Sequence, residues 1–116
     1  MMKKIAIVSL LLMLISAVSE AANVNLSWNA NTEADLAGYR LYRAPGPCVN
    51  PGPFARVQTF GKVVTGTDII SIDGTYCYAL TAFDTGNLES VYSNKAEAIV
   101  NANPPQAPTG LSVVSQ

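Results

Sequence analysis

The sequence predicts an all-β domain, a sandwich or a barrel, on three observations. Apolar and polar residues alternate with period two in several short runs. Turn residues separate those runs at intervals of roughly 8–15 residues. The one helix-like start, residues 32–36 (TEADL), is too short to continue, and no other stretch has helical periodicity.

The N-terminal segment stands outside this pattern. Lys3 and Lys4 give a positive start, residues 5–15 form an apolar run too short to span a bilayer comfortably, and Ser19 and Ala21 place small residues at −3 and −1 of a cleavage site. This is the grammar of a secretory signal peptide, expected over 1–21, against the alternative of an uncleaved anchor. No cysteine follows the run, which argues against a lipoprotein. A domain is expected over 22–102, and a Pro-rich linker with a strand-like tail over 103–116.

The elements of the domain follow in order. Val24, Leu26 and Trp28 share one face of a first strand. Residues 29–37 are a polar connection. Residues 38–43 (GYRLYR) alternate again, with Tyr39 and Leu41 on one face and Arg40 and Tyr42 on the other. Residues 44–53 hold four prolines and two glycines and must be a loop. An edge strand is expected over 56–60 and a short strand over 67–72, ending at Asp73-Gly74. The strongest strand is 76–83 (YCYALTAF), with Tyr76, Tyr78, Leu80 and Ala82 on one face and Cys77, Ala79 and Thr81 on the other. A tight turn at 84–87 leads to a last strand over 93–100, and a final apolar run covers 111–114.

Composition narrows the function. The formal net charge of −1 becomes about −2 once Lys3, Lys4 and Glu20 are removed, so no basic patch favours nucleic acid. Past the signal, no run of 18 apolar residues can span a membrane. About 95 residues remain, enough for one domain with a modest core. Cys48 and Cys77 are an even count in an exported chain, which points to a disulfide; two free thiols or a bridge to another chain are the alternatives.

The order and spacing of these motifs resemble a fibronectin type III domain. Asn25-Leu26-Ser27-Trp28 is similar to its second strand, residues 35–43 to its third strand and lead-in, and residues 74–82 to its sixth, where Tyr76 matches a corner tyrosine. Asp84, Gly86-Asn87, Glu89-Ser90 and Ser93-Asn94 resemble the last hairpin of bacterial exported members. The resemblance covers roughly 24–100 and implies an immunoglobulin-like sandwich of seven strands in two sheets, used mostly as a spacer or adhesion module. No Arg-Gly-Asp tripeptide supports integrin-style recognition.

The chain departs from that pattern twice. Most members lack a disulfide, yet strands three and six are neighbours in the family fold, so a Cys48–Cys77 bridge pinning the Pro-rich loop to the sheet is plausible there. Closing about 29 residues, it would stabilise by ~3 kcal/mol in the chain-entropy model. The first strand is also missing at the N-terminus, while residues 105–114 (PQAPTGLSVV) resemble one placed at the end. Three accounts suit this tail. It is the start of a second domain in a truncated frame; it folds back over its own domain's vacant edge; or Leu111 to Val114 mediate self-association by donation to the next molecule.

Little here equips an enzyme. There is no histidine, no Gly-x-Ser-x-Gly and no phosphate loop, and two distant cysteines make a poor zinc site. No cofactor is expected. Glu33 with Asp35, and Asp84 with Glu89, could hold calcium or serve as acid and base, but turn capping and solvated loop charges explain them more simply. Trp28, Tyr39, Leu41, Tyr76, Tyr78 and Leu80 are the expected core. Tyr42, Phe54, Phe60 and Tyr92 are less securely buried and could form a glycan- or protein-binding face. The leading expectation is a secreted or periplasmic, non-catalytic module acting as a spacer or protein-interaction domain. The alternatives are a carbohydrate- or surface-binding module and a fragment of a larger secreted enzyme.

Overall fold

A computed structural model describes residues 21–101 and 104–115. The expected signal peptide lies, but for Ala21, outside the described residues. Among these, every regular element is a strand: β1 (Ala22–Ser27), β2 (Leu36–Pro45), β3 (Ala55–Phe60), β4 (Thr65–Ile70), β5 (Gly74–Asp84) and β6 (Ala96–Val100). They form two antiparallel sheets, β1-β4 and β3-β2-β5-β6, in an immunoglobulin-like sandwich.

Side-chain alternation puts one face of each sheet inside. Tyr39, Leu41 and Tyr78 are 2%, 1% and 2% exposed. Ile70, Val100 and Leu36 close the core at its ends. Gly38 is required by close approach, since a Cβ there would lie 2.1 Å from the Phe60 carbonyl oxygen. The Tyr76 hydroxyl donates to the Ile72 carbonyl at 2.7 Å, making the corner expected of that residue.

Three expectations need correcting. Trp28, Tyr76 and Leu80 are half-buried rather than core. Tyr76 sits at the outer end of β5, while Trp28 and Leu80 line a cleft between the sheets. The last strand begins at Ala96 rather than Ser93, because Ser90 and Ser93 bond β5 through their hydroxyls: Ala82 N–H donates to Ser90 Oγ and Leu80 N–H to Ser93 Oγ, both at 3.0 Å. Finally, residues 111–114 form no strand. Leu111, Val113 and Val114 are 99%, 79% and 94% exposed, so the tail does not fold back over its own domain.

Candidate functional site

Two surfaces of the sandwich carry its distinctive chemistry: the outer face of the large sheet and the seam between β1 and β6.

The outer face carries Cys77, Ala79 and Thr81 of β5, as alternation requires. They are nonetheless 0%, 2% and 3% exposed, because two loops cover them. The first is the Pro-rich loop after β2. Gly46, at φ 94, turns it; Gly46 N–H donates to Thr75 O at 2.8 Å; and Cys48 is bonded to Cys77 with a Cα–Cα distance of 5.0 Å. Cys48 N–H also donates to Glu97 Oε1 at 2.9 Å. Beside the bridge, the Phe54 and Tyr42 rings pack on Tyr92 at 5.2 and 5.1 Å between centroids.

The second cover is the β5–β6 loop, held by a charged clamp. Arg40 Nη1 donates to Glu89 Oε1 at 2.7 Å, its Nη2 to Asn87 Oδ1, and its guanidinium lies 4.1 Å from the Phe83 ring centroid. Tyr42 and Thr81 hydroxyls donate to Glu89 Oε2. The Tyr42 hydrogen bond comes first among the causes that hold the Glu89 carboxyl at about 2, with Thr81 and Arg40 adding to it against desolvation. The same bond to Glu89 raises the Tyr42 phenol.

A third polar group joins the sheets. Arg43 Nη1 and the Tyr78 hydroxyl both donate to Asp68 Oδ2 at 2.7 Å. Burial, then the bond to Asp68, pushes the Tyr78 phenol upward.

The seam is the opposite of the covered face. Three adjoining clefts of about 620, 90 and 250 Å³ follow it, sharing Ser27 in their walls. Leu26 and Trp28 form one wall, Ser93, Asn94 and Ala96 the other, and Tyr78 and Leu80 the floor. The Trp28 indole donates to Val63 O at 2.9 Å and packs on Tyr39 and Phe60. Sequence reasoning expected a vacant edge here but not the clefts along it.

The four carboxylate residues singled out above line one cleft of about 260 Å³ without converging in it. Asp84 caps its turn, accepting from Leu88 N–H at 2.8 Å, and Glu89 is committed to the clamp. Among the described residues no three acidic, cysteine or histidine side chains are grouped to hold a metal ion.

Comparison with known proteins returned one informative likeness. The chain is 34% identical over 85 residues to an amylopullulanase from Thermoanaerobacter thermohydrosulfuricus, a stretch covering 72% of this chain and 5% of that protein. No family model matches the chain, and no solved structure does.

Proposed function

We propose that the chain is an exported, non-catalytic module of fibronectin type III kind, serving as a structural spacer or protein-interaction domain. The observation that carries this reading is the double tether on the outer face. A disulfide holds one covering loop and the Arg40–Glu89 clamp the other, so sheet and loops form a stiff unit. Stiffness is what a spacer or a docking scaffold needs. The strand order and the Tyr76 corner support the family reading. The disulfide and the signal grammar support a secreted or periplasmic setting.

The test uses residues 22–116 with the disulfide formed, assayed on pullulan and amylose. The reading expects no release of reducing sugar and no retardation in gels cast with either glucan. Hydrolysis would overturn the non-catalytic reading, and retardation would transfer the function to carbohydrate binding.

A second reading has its own observation. The likeness to 5% of an amylopullulanase fits a module of a larger multidomain secreted enzyme. Sequencing the DNA beyond Gln116 tests it: an in-frame continuation into a catalytic domain supports it, and an immediate stop codon removes it.

A further inference from the structure

We infer that the seam between β1 and β6 is a strand-accepting groove, and that its occupant is residues 109–114 of a second copy of this chain.

The acceptor side rests on three observations. β1 pairs with β4 on one side only among the described residues, so its other edge presents free backbone donors and acceptors. The clefts run along that edge and reach the apolar floor at Tyr78 and Leu80. And Val24, Leu26 and Trp28, which point inward, are only half-buried. An open edge above an open core calls for an extended, alternating apolar segment, which supplies main-chain hydrogen bonds and side chains together.

The donor lies in the same chain. Residues 109–114 (TGLSVV) follow the last proline, so every one of them has an N–H to donate. Set antiparallel with Ser112 opposite Asn23, the segment brings Thr109, Leu111 and Val113 opposite Leu26, Val24 and Ala22, the inward residues of β1. Leu111 and Val113 would face the groove and Ser112 the solvent. Neither β1 nor residues 101–115 carries a charge, so the pairing buries none.

Geometry selects a second copy over the chain's own tail. Ala22 pairs with Ile70 and Val100 with Gly74, on either side of the β4–β5 turn. β6 therefore ends where β1 begins. The chain's own tail could enter only parallel to β1, whereas a second copy's tail can enter antiparallel, the pairing used by every other strand here and the more stable one per residue. Pro104, Pro105 and Pro108 stiffen the approach and hold the segment away from its own domain. Donor and acceptor are different surfaces, so the assembly is head-to-tail.

Residues 22–116 carrying Asn23→Cys and Ser112→Cys, oxidised at high concentration, should give a ladder of multimers on a non-reducing gel. A cross-linked monomer, or no cross-link at all, would overturn the inference. Leu111→Asp with Val113→Asp alters exposed residues and leaves the fold intact. In sedimentation the parent's weight-average mass should at least double from dilute to concentrated solution while this variant stays monomeric. A parent that stays monomeric, or a variant that associates as the parent does, contradicts it.

Discussion

The outer face of the large sheet and the seam beside β1 are built from similar residues, yet one is closed and the other open. Cys77, Ala79 and Thr81 face outward and are buried; Val24, Leu26 and Leu80 face inward and are only half-buried. The direction a side chain leaves the sheet therefore does not decide its burial here. What decides it is whether another segment of chain comes to lie on top. The outer face receives two loops, each tied down covalently or by charge. The seam receives nothing from the described residues.

Substitutions can break this comparison at either place. Leu41 is 1% exposed in the closed part of the core, and Leu41→Ala should cost about 3 kcal/mol in denaturant unfolding. Leu80→Ala, in the groove floor of a dilute monomer, should cost clearly less, about 1 kcal/mol, since water already reaches that side chain. Equal losses would mean that the seam is filled.

The covers come next. Reduction, or Cys48→Ser with Cys77→Ser, should cost ~3 kcal/mol for a bridge spanning 29 residues. Asp68→Asn should cost about 2 kcal/mol, because Arg43 and Tyr78 lose the charge they share. Thermal or urea unfolding checks both.

The smallest effect is that of pH on the clamp. Glu89 titrates at about 2 in the fold and near 4.5 when free. A lowered folded value contributes stability that is complete above the free value and is lost as pH falls toward the folded one. The stability difference between the parent and Glu89→Gln should thus be level above pH 5 and shrink as pH drops from about 4.5 toward 2. A difference that holds constant to pH 2 would show that Glu89 works without its charge.

Much of the architecture was legible because it depends on neighbours in sequence. The period-two runs at 24–28, 38–43 and 76–83 mark β1, β2 and β5 to within a few residues. The proline count marks the loop that carries Cys48, and the turn at 84–87 stands where expected, with Asn87 at φ 65. What could not be read depends on distant segments. Nothing local to Ala79 or Thr81 tells that residues 85–95 will cover them. Alternation over 93–100 looks like a strand throughout, but the Ser90 and Ser93 hydroxyls take the place of ladder carbonyls and postpone β6 to Ala96. Residues 111–114 have strand character but pair with no strand among the described residues, and a local pattern carries no record of whether a partner edge comes within reach.

Amide hydrogen exchange on dilute, oxidised residues 22–116 tests the central contrast most directly. Ser90 and Ser93 belong to no strand, yet their amides donate to Ala82 O and Leu80 O at 2.8 Å from within the tethered loop. They should exchange more slowly than the β1 amides that do not bond β4, although those lie within a regular strand. If instead the β1 edge is the better protected of the two in dilute solution, the seam is already closed and the account is wrong.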